Sequence, residues 1–244
     1  MFRITLTALL SATPLLAQIC TYTGSTDPGN GGTSVGSELL APGPPTTQSA
    51  YYRKQILIPA AAFANVPHLI RDISVAVKVG WRSMRVPRLV VRMGHTTRSS
   101  LDVAFAVNIT SPLQDVLVAD DYVLFQGVGP AWVPIGLQQP FQYSPALGNL
   151  LIETVQVGGE EFGLGGHFSY MALSSFGEQR TSSWSTTLPS LSSGVGTVPA
   201  MRICVDYAGM LLLGESCPSS TATSPLLGLT GTPSLGSRST IWLS

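Results

Sequence analysis

Short runs of alternating apolar and polar residues, cut apart by Gly, Pro, Ser and Thr, limit what this chain can fold into. From Ile70 to Val79 the sequence puts Ile73, Val75, Val77 and Val79 on one side and Asp72, Ser74, Ala76 and Lys78 on the other. That two-residue period is the mark of a strand with one buried face. Arg88 to Met93 repeats it, with Leu89, Val91 and Met93 inward and Arg88, Val90 and Arg92 outward. Tyr51–Ile58, Asp115–Ala119, Tyr122–Gln126, Trp132–Leu137, Leu150–Val157, Phe168–Ser174 and Ala200–Tyr207 read as further strands. Trp81 to Pro87 and the Asp120-Asp121 pair read as turns, and Leu101 to Ala106 as one short helical turn. No long 3.6-residue pattern competes. The expectation is an all-β chain, an antiparallel β-sandwich of jelly-roll-like form.

Composition agrees. Charged residues make up only 11% of the chain and mean hydropathy is positive, the reverse of what disorder requires. At the N-terminus Arg3, the apolar stretch Ile4 to Leu16 and the small residue Ala17 form a signal-peptide pattern, so the mature chain is expected to begin at Gln18. The stretch falls short of the roughly 20 residues that span a bilayer. Cys20 follows Ile19 rather than a small residue, which argues against lipid attachment. The expected organisation is a signal peptide over 1–17, a Gly/Ser/Thr/Pro-rich lead-in over 18–49, a sandwich over 50–208, and a tail or truncated small β module over 209–244. The expected location is outside the cell or on its surface, with no membrane span in the mature chain.

Cys20, Cys204 and Cys217 are the three cysteines. In an exported chain they predict one disulfide and one leftover thiol. The short Gly-rich connection favours Cys204 with Cys217, and Cys20 is the competing partner. No pair has the spacing of a zinc site, and no cofactor is indicated.

Tyr52-Arg53-Lys54-Gln55-Ile56, Met93-Gly94-His95-Thr96-Thr97, Phe105-Ala106-Val107-Asn108, Pro140-Phe141-Gln142-Tyr143-Ser144-Pro145 and Gly148-Asn149-Leu150-Leu151-Ile152-Glu153 carry a resemblance. In this order and spacing they resemble a β-sandwich module of secreted planctomycete proteins and of bacterial PEP-CTERM surface proteins, over residues 50 to 207. Gly214-Glu215-Ser216-Cys217-Pro218 and Gly231-Thr232-Pro233-Ser234-Leu235-Gly236 resemble the opening of a C-terminal module of secreted planctomycete proteins. Thr232 stands where that module often has a second cysteine, and the sequence ends earlier than the module does. The resemblance implies compartment and fold and supplies no catalytic residues.

Candidate chemistry is sparse. Gly32-Thr33-Ser34-Val35-Gly36 fits the nucleophile pattern G-x-S-x-G, but Pro42 to Pro45 denies it the helix that chemistry needs. His68, His95 and His167 read as turn or surface residues. Ser34, His95 and Asp120 make a triad only by inventory, and geometry defines a triad. Glu160-Glu161 reads as a solvated loop, and Asn108-Ile109-Thr110 as a turn that happens to match a glycosylation sequon.

The sharpest feature is charge. Residues 53–98 hold nine basic residues against Asp72, whereas 99–244 hold ten acids against three arginines. If the strands on either side of Trp81 form a hairpin, Lys78, Arg82, Arg85, Arg88 and Arg92 converge. Guanidinium groups there suit acidic polysaccharide. The competing reading is that the two halves neutralise one another within one fold.

The expected function is therefore a non-enzymatic extracellular protein of structure, adhesion or assembly, with envelope proteins as partners and nucleic acid excluded. A module for anionic polysaccharide, using those arginines or an aromatic pair such as Trp132 and Tyr143, is the alternative. A secreted hydrolase comes third.

Overall fold

The computed structural model describes residues 19–22, 33–34, 40, 50–63, 66–77, 83–124, 131–162, 170–173, 177–196, 198–199, 201–207, 210–215, 226–230 and 240–243. It separates into one unit over 19–208 and another comprising 1–18 with 209–244.

The strands are β1 (Ile19–Tyr22), β2 (Thr33–Ser34), β3 (Tyr51–Ile58), β4 (His68–Val77), β5 (Ser83–Thr96), β6 (Gln114–Leu124), β7 (Ala131–Pro134) and β8 (Phe141–Tyr143). They continue with β9 (Asn149–Val157), β10 (Glu160–Phe162), β11 (Tyr170–Leu173), β12 (Glu178–Thr181), β13 (Gly194–Gly196), β14 (Val198–Pro199) and β15 (Met201–Tyr207). In the other unit, β16 (Met210–Glu215), β17 (Leu226–Thr230) and β18 (Thr240–Leu243) form a three-stranded sheet.

Residues 19–208 form an antiparallel β-sandwich. One sheet runs β1-β15-β4-β11-β14, with β2 on β11 and with β7 and β8 on β4. The other runs β10-β5-β9-β3-β12-β13, with β6 on β5. The chain passes repeatedly from sheet to sheet, the connection habit of jelly rolls. Between the sheets lie Ile56 and Ile58 of β3, Ile73 and Val75 of β4, Leu89, Val91 and Met93 of β5, Leu150 and Ile152 of β9, and Met201, Ile203 and Val205 of β15. The two-residue alternation read in the sequence puts those of β4 on one side together and those of β5 inward. Among the described residues no helix is long and apolar enough to cross a membrane.

Three expectations need correction. β4 and β5 do not form a hairpin, because they belong to different sheets. The expected turn over Trp81–Pro87 is shorter, since β5 already runs from Ser83. Asp120-Asp121 is no turn between two strands. β6 passes straight through it and absorbs the irregularity at Asp121, whose φ is +55°. Asp tolerates that left-handed conformation better than most residues.

β3 and β9 are buried on both faces, although a two-layer sandwich leaves each sheet one solvated side. The segment 97–113, with a 3-10 turn at Phe105–Asn108, lies over their outer face. Leu57, Leu101 and Leu151 form a second small apolar cluster there, with Ile109 and Leu113 packed against it. The segment 182–192 joins this cover through Phe105 N–H to Ser190 O (3.1 Å) and Ser192 N–H to Val103 O (2.8 Å).

Candidate functional site

The residues that stand out chemically lie under and beside this cover. Strand register aligns them: Asp115 of β6 pairs with Arg92 of β5, Arg92 with Glu153 of β9, Glu153 with Gln55 of β3, and Gln55 with Arg180 of β12. Directly opposed residues in antiparallel strands share a face and sit within side-chain reach. Charges therefore alternate in sign along one row of the sheet, with the neutral Gln55 standing between Glu153 and Arg180.

Glu153 is the centre of the row and is fully buried. Its Oε2 accepts hydrogen bonds from Arg53 Nε (2.8 Å), Arg53 Nη2 (2.6 Å) and Gln55 Nε2 (2.8 Å). Its Oε1 accepts from Arg92 Nη1 at 3.2 Å. A carboxylate is stable away from water only with such charge-assisted partners. Arg53 also lies 4.8 Å from the Phe105 ring centroid and donates from Nη1 to Pro189 O (3.1 Å).

The cluster reaches the cover through Asn108, which is fully buried. Its Nδ2 donates to Gln55 Oε1 (2.9 Å) and Asp102 O (3.1 Å), while its Oδ1 accepts from Asp102 N–H (2.6 Å). Thr96 Oγ1 donates to Asn108 O at 2.8 Å. Asn108, read as part of a sequon, is thus committed to the interior.

A second group surrounds His95. Its ring stacks on Tyr143 (5.3 Å, 12°) and tilts against Phe141 (5.4 Å). Tyr143 is buried and donates its hydroxyl to Gly148 O at 2.8 Å, and burial pushes the phenol up to about 12. Buried Tyr143 and half-buried Trp132 offer no common exposed stacking platform. His95 Nε2 accepts a hydrogen bond from Ser144 N–H at 2.9 Å, and burial holds its pKa below the ordinary value.

A group depressed in this way binds its proton more readily in the unfolded chain. Its contribution to stability is present above the unfolded pKa of about 6.5 and is lost as pH falls through that value toward the folded pKa. The melting-temperature difference between about pH 7.5 and about pH 5.5 is expected to shrink in His95→Gln. An unchanged difference would show that His95 is not the group responsible.

The predicted arginines divide. Lys78 and Arg82 lie outside the described residues. Arg85, Arg88 and Arg92 of β5 each meet an acid of β6, and Arg92 also reaches Glu153 of β9 on the other side. Arg85 engages Asp121 in bidentate fashion, with Nη2 to Oδ2 at 2.9 Å. Arg88 Nη1 reaches Asp120 Oδ1 at 2.8 Å, and Arg92 Nε reaches Asp115 Oδ1 at 3.0 Å. The Arg85 hydrogen bond holds the Asp121 carboxyl below its usual range, and the same contact raises Arg85. Glu160 of β10 stands opposite Arg85 in register, so this acid belongs to a strand rather than a loop. The strip is a charge ladder of mixed sign.

His68 is buried, with a ring nitrogen 3.0 Å from Phe63 O. His167 and Cys217 lie outside the described residues, as does the predicted signal peptide. Ser34 lies in β2, opposite Tyr170. Cys204 is buried in β15 and has Cys20 of β1 as its direct register partner. Among the described residues no group of three or more His, Cys, Asp or Glu is placed to hold a metal ion.

The sequence reading missed the Glu153 cluster. Its one local signal was the run Arg53-Lys54-Gln55 inside a strand, where alternation leaves no single polar face. No family model, curated protein or solved structure matches the chain.

Proposed function

We propose that this chain is a non-enzymatic extracellular or cell-surface β-sandwich protein with a role in structure, adhesion or assembly. One observation carries the reading: polar residues from all five segments that carry the resemblance are engaged in holding the fold. Arg53 and Gln55, Thr96, Asn108 and Glu153 come from four of the five segments that resemble secreted and surface β-sandwich modules, and they form one bonded cluster. His95 and Tyr143 bring in the remaining segment. A Glu153 whose two oxygens are bound by Arg53, Gln55 and Arg92 is a fastening and a poor general base. Export rests on the signal-peptide pattern at residues 1–17.

Acidic polysaccharide is the second reading, favoured by the half-exposed side chains of Arg85 and Arg88 (56% and 50%). Surface ion pairs of this kind are worth only about 0–1 kcal/mol, so an anionic ligand can exchange for the aspartates at small cost.

Fractionation of producing cells tests the first reading: the mature chain, starting within a residue or two of Gln18, is expected outside the cell or on its surface. On an array of neutral and acidic polysaccharides it is expected to bind none specifically. Acidic-glycan binding lost in Arg85→Ala with Arg88→Ala, at unchanged melting temperature, would replace the first reading by the second. Retention of an uncleaved Met1 in the cytoplasm would end both.

A further inference from the structure

We propose that Cys20 and Cys204 form the protein's disulfide, and that this bond carries tension past the sandwich when the chain is pulled. β1 pairs with β15 over Ile19↔Val205, Cys20↔Cys204, Thr21↔Ile203 and Tyr22↔Arg202. Directly opposed residues of an antiparallel pair have Cα atoms about 4.5–5.5 Å apart, inside the range of about 4.4–6.8 Å that a disulfide spans. The Cys204 sulfur stands at disulfide-bonding geometry and the residue is 4% exposed. Cys217, the partner favoured by spacing alone, lies outside the described residues, whereas Cys20 stands directly opposite Cys204 in register. Alternation along a strand says nothing of which strand lies alongside. β1 lies far from β15 in sequence, and so the pairing was invisible there.

Oxidation removes two protons and two electrons from the two thiols. The electrons pass to a disulfide oxidant, which leaves as two thiols. Such a bond persists in an oxidising compartment.

Its mechanical consequence follows from connectivity. Cys20 is the second residue of the sandwich unit and Cys204 lies four residues before its end at 208. Nearly all of the sandwich therefore sits inside the covalent loop that the bond closes. Force entering ahead of Cys20 and leaving beyond Cys204 runs through sulfur, and the hydrogen bonds of the two sheets bear none of it. For a surface protein under shear, the sandwich then stays folded at loads that would unzip an open chain. The bond stands independently of the proposed surface role, and only its use rests on that reading.

Non-reducing peptide mapping of the full chain is expected to give a Cys20–Cys204 peptide. A Cys204–Cys217 peptide, or a free Cys204 thiol, would overturn the assignment. In single-molecule extension with handles at both ends, the oxidised chain is expected to release none of the sandwich's length. Reductant, or Cys20→Ser, is expected to free on the order of 600 Å of chain. An oxidised chain that releases that length at ordinary unfolding forces would refute the clamp. Cys20→Ser is also expected to melt roughly 10 °C lower while Cys217→Ser melts as the parent does, and the reverse order would again overturn the pairing. Confirmed bonding in a chain found in neither the extracellular nor the surface fraction would leave the clamp standing and remove the surface role.

Discussion

Glu153→Ala is expected to destabilise the sandwich by about 3–5 kcal/mol, the usual cost of stripping one partner from a buried ionic cluster. The loss leaves Arg53 Nε and Nη2, Gln55 Nε2 and Arg92 Nη1 without their acceptor. Arg92 can turn to Asp115 at the surface, but Arg53 is held between Phe105 and Pro189 O and has no such exit. The effect should therefore be dominated by Arg53. Glu153→Leu combined with Arg53→Met should recover most of the stability, since apolar replacement of a whole buried pair is often neutral or better. Arg88→Ala, which removes only an exposed pair with Asp120, should stay within about 0.5 kcal/mol of the parent. Urea denaturation of the single and double variants decides it. A Glu153→Ala chain as stable as Arg88→Ala would mean that the cluster is not what fastens the cover.

That contrast shows what was legible in the sequence and what was not. Leu89, Val91 and Met93 reveal their burial by period alone, because they alternate with Arg88, which is exposed, and Arg92, which is half-buried. The outward assignment of Arg88 and Arg92 was equally readable. β3 and β9 defeat the same rule. Their outer face is covered by a loop that carries no periodic signal, so Arg53, Gln55 and Glu153 look like surface polar residues until the cover is in place. Charge complementarity between the two halves of the chain was visible as a total. Which arginine meets which acid depends on strand order, and the assumed β4–β5 hairpin was the wrong order. Cys20 belongs to the same class of hidden fact, a neighbour made by sheet topology across most of the chain. Asn149 shows the finer limit: beside Gly148 it has the look of a turn residue, yet it is the first residue of β9. Its side chain instead accepts Ala60 N–H and donates to Arg98 O, each at 2.8 Å.

Gly148→Ala should cost about 3 kcal/mol, well beyond an ordinary surface change. Gly148 ends the short 3-10 turn Pro145–Leu147 with φ +118° and ψ −161°, a region that only glycine occupies without strain. It also lies against β5: a Cβ there would stand 3.0 Å from the Thr96 carbonyl carbon and closer still to its oxygen. That neighbour is backbone, and it cannot retreat without disturbing the Thr96↔Asn149 pairing that begins the β5–β9 ladder. The Gly148 carbonyl meanwhile accepts the Tyr143 hydroxyl, so a shift here reaches the His95–Tyr143 stack. Gly136 provides the control. Its φ is +76°, but a Cβ there would meet nothing within 4 Å, so Gly136→Ala pays only the left-handed backbone penalty of about 1–2 kcal/mol. Near-UV circular dichroism should change in Gly148→Ala, through Tyr143, and hold in Gly136→Ala. Equal destabilisation of the two variants, with both spectra unchanged, would show that the approach of Thr96 to residue 148 imposes nothing on the fold.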